Sequence, residues 1–479
     1  MSVPRTALFT DFYELTMMQG YYRAGLHKRQ SCFDLFFRYN PFGGGYTIAA
    51  GLEDALKFLE SISFSDDEIE FLKENGLFEK DFLEFLKRLR FTGNVHAVAE
   101  GTPVFPMEPM LTVRGELAQC QLVETALLNI INFQSLIATK SARVCLEAGR
   151  DNVLEFGMRR AQGEDGAITA ARAAYIGGCA ATSNVAAGKL YGIPLRGTHA
   201  HSWIMAFDSE LEAFHKYAEQ YPKNSILLVD TYNTLKSGVP NAITVALEME
   251  QRGEKLTGIR LDSGDLAYLS QEARKMLDAA GLNDIKIICS GDLDEFIIHD
   301  LKAQSAKIDI YGVGTKLVTA CGDPALPGVY KMAAWRESGG WEMKLKISDS
   351  MKKSTLPGVK QVWRMRNGGG DMIADIVELE DKKPDFSRPV CGHHPFIDYR
   401  KKIYDNAAAT EPLLEPVFSA GRITGKTVPL EAIRNKVGEE LKSLHPTFKR
   451  LLNPHIYKVS LGPALMEQTR RLRNQNQSP

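Results

Sequence analysis

Apolar and polar positions follow two periods along this chain, and the clearest alternation between them falls in residues 225–316. Four short apolar runs recur there, within SILLVD, GIRLD, IKIICSGD and IDIYGVG. Between them lie stretches such as AITVALEMEQRG and EARKMLDAAG, with the periodicity of amphipathic helices. Near-continuous apolar runs suit strands buried on both faces, so the pattern predicts β-α-β-α repetition and a parallel sheet. In such folds the C-terminal strand ends share one mouth, where ligands collect. Each run here ends in an acid, a glycine or both: Asp230; Asp262 with Gly264 and Asp265; Gly291 with Asp292; Gly312 with Gly314. Carboxylates and glycines at successive strand ends suit a metal and phosphates. Any one of them alone also reads as an ordinary turn residue. Neither a Walker lysine motif nor GxGxxG is present.

Upstream, residues 10–24 predict a helix capped by Thr10 or Asp11, with Glu14 completing a capping box. Residues 31–38 predict a strand, NPFGGG a turn and YTIAAG a second strand, a pattern that permits a hairpin. Helices are expected at 52–60, 66–75 and 80–89, then short strands broken by Gly and Pro over 95–115. Residues 116–149 are too apolar for a surface helix. VLEFG, at 153–157, predicts the first barrel strand, followed by a Gly- and Ala-rich helix and by IPLRGTHAHSW as a further strand ending in a polar turn. Past about residue 345 the pattern becomes hairpins, with a Gly turn at 368–370, and residues 431–473 read as helical. The expected organisation is an α+β domain over 1–125, an α/β barrel over 126–345, and a partly β-rich region over 346–479 ending in helices.

Composition narrows the class. The formal net charge of −1 over 479 residues gives no global attraction to nucleic acid or to membranes. Seven cysteines without a CxxC point to reduced thiols. No secretory leader and no membrane-length apolar run is visible, so a soluble, cytoplasmic protein is expected. Cys391, His393 and His394 lack a second ligand pair for a closed zinc site, and a structural or surface role is expected for them.

Three clusters carry candidate chemistry. GTHAHSW sets His199 and His201 two positions apart, on the same side if the segment is a strand. Either could act as acid, base or phosphate acceptor, or simply bond a backbone carbonyl. EFGMRRAQG places Arg159 and Arg160 just past a strand end, where guanidinium groups bind carboxylate or phosphate, or form a surface pair. Arg260 lies inside an apolar strand, where an unpaired guanidinium is costly, so a ligand or an acidic partner is expected beside it.

Taken in order, TDFYELTM, FFRYNPFGGGYTIAAGL, EFGMRRAQG, RGTHAHSW, IRLDSGDL and YGVGTKL resemble the nicotinate phosphoribosyltransferase family over nearly the whole chain. The resemblance implies the type II phosphoribosyltransferase fold, an irregular TIM-like α/β barrel with a β-rich domain drawn from the N- and C-terminal regions. It implies a homodimer with sites completed across the interface. The implied reaction joins nicotinate to phosphoribosyl pyrophosphate, with Mg²⁺ and with ATP hydrolysis coupled through a phosphohistidine. His201 matches the phosphorylated histidine, and Asp262 and Asp265 match acids near the ribosyl and metal site. Gly291 and Asp292 match a ribose and phosphate loop, and Gly314 and Thr315 the loop that holds the nucleotide phosphate. Phe156 and Arg159 match a stacking ring and a pyridine-side arginine, while Thr198 and Arg260 match positions on the substrate side. Tyr13 matches a ring supplied by the partner subunit. The similar nicotinamide enzyme places an acid where ATSNVAAG here has Ser183 and Asn184, and neutral groups there favour nicotinate. The alternatives are the nicotinamide enzyme, the typically shorter quinolinate enzyme, and a non-catalytic phosphosugar-binding barrel. The set of His201, Asp262 and Asp265 argues against the last.

Overall fold

The computed structural model describes residues 6–337, 340–347, 353–397, 399–405 and 407–477. The chain forms two compact units, one of residues 140–324 and one of residues 1–139 with 325–479.

The first unit is built on six parallel strands, in the spatial order Ala181–Thr182, Val153–Glu155, Ile310–Val313, Lys286–Ser290, Gly258–Leu261 and Ile226–Leu228. Their side chains are buried because helices cover the sheet: Ile259, Leu261, Ile287, Cys289 and Val313 are all fully enclosed. Between the two outer strands runs an extended segment that continues the wall. Leu195 forms a parallel bridge to Thr182, and the Leu228 amide donates to Nε2 of His199 at 3.2 Å. The result is the irregular α/β barrel expected, with one wall held by single contacts rather than by a ladder.

Helices start where the sequence offers a side-chain acceptor. Asp265 caps Leu266–Ala279, Asp294 caps Glu295–Ala303, Asn184 caps Val185–Tyr191 and Ser209 caps Glu210–Gln220. Each satisfies amide donors that the first helical turn leaves open.

The second unit is β-rich and interleaves both ends of the chain. A seven-stranded sheet places Gly328–Glu337 against Gln30–Phe37, and Glu415–Ser419 against Asn94–Ala97. A six-stranded sheet holds the hairpin Lys360–Arg366 and Met372–Leu379, whose core contains the fully buried pair Arg364 and Asp375 at 2.7 Å.

Several expectations change at this level. The barrel unit spans 140–324 rather than 126–345, because Gly328–Glu337 pairs with an N-terminal strand. The strand Thr47–Ile48 forms no hairpin with Gln30–Phe37; it pairs with Pro103–Val104. Glu14 completes no capping box: it accepts from the Thr10 hydroxyl and from the amide and hydroxyl of Thr125. The stretch 431–473 is broken by the strand Val459–Leu461 between the helices Leu430–Ser443 and Pro463–Gln477. Among the described residues no helix is long and apolar enough to cross a membrane, and no group of three or more His, Cys, Asp or Glu side chains is placed to hold a metal ion. His394 instead accepts from the amides of Phe396 and Ile397, and Cys391 Sγ lies 3.7 Å from Nε2 of His393.

Candidate active site

Arg260 and Asp262 occupy alternate positions at the end of Gly258–Leu261, so both side chains leave the strand on one side. Three groups of the Arg260 fork are directed by the protein: Nε donates to Ser290 Oγ at 2.8 Å, Nη1 to Thr198 Oγ1 at 2.8 Å, and Nη2 to Asp262 Oδ1 at 2.7 Å. The expected acidic partner is therefore Asp262, and the other N–H groups of the fork remain for a ligand. The guanidinium carbon sits 5.7 Å from the Phe156 ring centroid. Phe156 finds space because residue 312 is glycine: a Cβ there would come within 2.7 Å of the ring.

Asp262 also accepts from the Ser290 hydroxyl. Burial acts to raise its pKa, but the Ser290 hydroxyl, the Arg260 charge and His201 outweigh that and hold the carboxyl below its ordinary value. Its amide donates to Asp230 Oδ2 at 2.8 Å, and the Ser263 hydroxyl joins the same oxygen at 2.7 Å. The other oxygen of Asp230 is buried and has no hydrogen-bond partner among the described residues.

The two histidines do not share a face. The segment ends at residue 200, and His201 opens the short helix His201–Met205. Its Nδ1 lies 3.0 Å from Thr231 Oγ1, and its Nε2 lies 4.0 Å from Asp262 Oδ2. His199 is buried, with Nε2 committed to the Leu228 amide and the ring edge-on to Tyr217. Burial lowers its pKa to about 4, so it stays neutral. It is a wall residue rather than a mouth residue.

The remaining strand ends supply backbone and open side chains. Gly291 has φ +101° and Asp292 φ +47°. A Cβ at Gly291 would come within 2.4 Å of the Asp262 carbonyl oxygen, so the two loops touch through backbone. Gly314 approaches the Phe156 carbonyl and opens the turn Thr315–Val318. Arg159 and Ser183 are exposed, and neither side chain has a partner among the described residues. Asn184, by contrast, is fully buried: it caps its helix and donates to the Ala167 carbonyl at 3.2 Å, so it is not free to receive a ligand. Asp265 is likewise used as a cap, through one oxygen, at 3.0 Å from the Tyr268 amide. Tyr13 belongs to the other unit, on Phe12–Arg23, and the residue is 46 % exposed.

Three participants went unassigned in the sequence, and a fourth, Asp230, was read there only as a strand-end acid. Ser290 and Thr231 orient Arg260, Asp262 and His201, and Asp230 braces the Asp262 loop. Glu155 is buried, accepting from the Gly157 amide and, at 2.5 Å, from Thr182 Oγ1; burial raises its pKa. All four lie at or just past strand C-termini, which was the available signal.

Known proteins resemble this chain over nearly its whole length. The chain matches the nicotinate phosphoribosyltransferase N-terminal domain over residues 8–132, the nicotinate phosphoribosyltransferase family over 152–406, and the corresponding C-terminal domain over 359–469. It is 45 % identical to the Bacillus subtilis protein named nicotinate phosphoribosyltransferase, over 95 % of this chain and 93 % of that one. The crystal structure of human nicotinic acid phosphoribosyltransferase superposes with a TM-score of 0.85 at 32 % identity, covering 97 % of this chain and 99 % of that one. The structure named nicotinate-nucleotide pyrophosphorylase from Pyrococcus furiosus gives 0.69 at 25 % identity, with 91 % and 95 % covered.

Proposed function

This chain belongs to the nicotinate phosphoribosyltransferase family, and from that premise we propose that it transfers the phosphoribosyl group of phosphoribosyl pyrophosphate to nicotinate, with ATP hydrolysis coupled to the transfer, as a step of NAD biosynthesis. The observation that carries the reading is the joined cluster of Thr198, Arg260, Asp262 and Ser290 beside Phe156 at the barrel mouth. A fixed cation, a fixed carboxylate and an aromatic face are what an anionic leaving group, a cationic sugar centre and a flat base require.

In the transfer, the bond from ribose C1 to the pyrophosphate oxygen breaks and its electron pair leaves with pyrophosphate. The ring nitrogen of nicotinate gives its lone pair to C1. Asp262, ionised at neutral pH, faces the positive charge that develops on the sugar. Arg260, held by three partners, needs no reorganisation as the leaving group gains charge. Phe156 gives the pyridine ring a face, and the open guanidinium of Arg159 suits the nicotinate carboxylate. Ser183 adds a neutral hydroxyl where an acid would repel that carboxylate. The exposed Gly291 and Asp292 and the half-buried Gly314 and Thr315 supply loop groups for ribose and phosphate oxygens.

Mg²⁺ fits this mouth. The ion keeps several waters and takes one or two carboxylates together with substrate phosphates, so a cage of three protein acids is not needed. Asp262 and Asp265 are the carboxylates we assign to it, and the unpartnered Asp230 oxygen is a further donor. Bound there, it would neutralise charge on the pyrophosphate.

ATP coupling is assigned to His201. With Nδ1 held by Thr231, Nε2 is the nitrogen left to attack the γ-phosphorus, and ADP leaves with the broken P–O pair. The phosphoryl group then stands beside Asp262 and changes the charge of the mouth. The homodimer reading rests on Tyr13, whose exposed ring we assign to the site of the partner subunit.

A product assay with nicotinate, nicotinamide and quinolinate offered separately, with and without ATP, tests the whole reading. Nicotinate mononucleotide should form from nicotinate and increase with ATP. Preferred turnover of either other base, or no turnover of any, overturns it.

A further inference from the structure

The β-rich unit contains a cavity of about 450 Å³ that the reaction above does not use. Its walls are Leu52 and Leu56 of the helix Leu52–Ser61, Ala97 and Val417 of two paired strands, and Ile433 of the helix Leu430–Ser443. The size falls in the range of small-molecule sites, which are apolar with few polar groups.

The polar groups of the lining differ in how they are engaged. Lys57 and Glu53 satisfy each other at 2.6 Å, and Glu100 receives the Gly51 amide at 2.6 Å. Lys426 is exposed to solvent, whereas Lys436 is half-buried. Lys436 lines the cavity one helical turn from Ala432 and has no hydrogen-bond or ion-pair partner among the described residues. Two of the acids whose charge reaches it, Glu411 and Glu440, are taken by Arg366 at 2.8 and 2.9 Å. Burial lowers the Lys436 pKa, while Glu440, Glu411 and Glu415 act to raise it. A half-buried ammonium without a partner, at the wall of an apolar cavity, favours a ligand that brings one negative charge. Glu53, Glu100 and Glu415 balance Lys57, Lys426 and Lys436 around the space, so a ligand of a single negative charge suits the lining better than one of several.

We propose that this cavity is a binding site for an amphipathic monocarboxylate, with its aliphatic body between Leu56 and Ile433 and its carboxylate on Lys436. An aliphatic body, unlike an aromatic one, also keeps the probe distinct from nicotinate.

Octanoate, octan-1-ol and octylamine are titrated by calorimetry into the full-length protein and into Lys436→Met and Ala432→Trp. Octanoate should bind one site, with octanol and octylamine at least about tenfold weaker, the equivalent of one charge-assisted hydrogen bond. Lys436→Met should erase the preference for octanoate over octanol, and Ala432→Trp, which fills the space, should abolish both. Thermal melts and nucleotide formation report whether each variant is folded; Lys436→Met should leave both unchanged. Absence of octanoate binding to the unaltered protein overturns the site. So does equal binding of octanol, or octanoate binding that survives both substitutions.

Discussion

Nη2 of Arg260 lies 2.7 Å from Oδ1 of Asp262, two positions further along the same strand end. Each of the two groups fixes the other, and Ser290 touches both. This makes Asp262 an acid whose charge is held independently of substrate. Asp262→Asn keeps the shape and removes the charge. Turnover should fall by about 10²-fold, the size typical of losing one preorganised electrostatic group, with a smaller change in nicotinate KM. Steady-state kinetics at saturating Mg²⁺ and phosphoribosyl pyrophosphate decide this; an unchanged kcat removes Asp262 from the mechanism.

His199 predicts a pH effect on stability rather than on chemistry. Its folded pKa, about 4, lies below the 6.5 of a free histidine because the ring is buried. The neutral form is the one that folds, so its contribution is complete above pH 6.5 and declines as pH falls towards 4. The loss should total about 3 kcal/mol at most. Urea unfolding between pH 7 and 4 measures it. His199→Gln keeps an acceptor for the Leu228 amide and should flatten the profile, whereas His199→Leu leaves that amide unpaired and should lower stability at every pH. An unaltered pH slope in His199→Gln rules this source out.

Gly291→Ala should couple damage to the fold and to the site. The left-handed backbone costs a non-glycine residue about 1–3 kcal/mol, and the new Cβ would press on the Asp262 carbonyl. A lower Tm accompanied by a fall in kcat at temperatures where the variant is fully folded is expected. A lower Tm with normal kcat would show that the contact serves stability alone.

The barrel was legible because its strands are buried on both faces. ILL, GIRL, KIICS and IYGV stand out as apolar runs, and the acids after them, Asp230 and Asp262, are indeed neighbours in space. Ala181–Thr182 was missed because two residues carry no period, and its flanks are rich in Ala and Gly. The direction of His199 against His201 was missed because one helix start, at residue 201, reverses it. Gly328–Glu337 reads locally as a strand in either unit. Its assignment depends on Gln30–Phe37, some three hundred residues earlier, and no local pattern encodes that pairing. Ser183 and Asn184 were indistinguishable as neutral residues until burial separated them.

Shared sites predict complementation. If Tyr13 serves the partner subunit, a heterodimer of Tyr13→Ala and His201→Ala chains contains one site lacking both groups and one with both. ATP-stimulated activity should return to roughly half the unaltered value in purified, doubly tagged heterodimers when neither homodimer shows it. Persistent inactivity in verified heterodimers would place Tyr13 in its own subunit's site, or in none.

The contact between His201 Nδ1 and Thr231 leads to the sharpest test. A histidine accepts a phosphoryl group well only if one ring nitrogen keeps its lone pair and the ring is held still. Thr231 does both when Nδ1–H donates to its hydroxyl, because Nε2 is then the unprotonated nitrogen. Incubation with γ-labelled ATP should therefore give an acid-labile, base-stable label on the unaltered protein and none on His201→Ala. Thr231→Val removes the hydrogen bond without changing volume much, so labelling should slow by about tenfold, the value of one such bond. His201→Ala should lose ATPase activity and ATP stimulation while retaining slow, ATP-independent nucleotide formation, because Arg260 and Asp262 do not depend on it for their contacts with Ser290. His199→Gln should still take the label, since its ring is neutral and turned into the wall. A label that persists on His201→Ala, or that disappears on His199→Gln in folded protein, would move the acceptor away from His201 and break the link between this mouth and ATP.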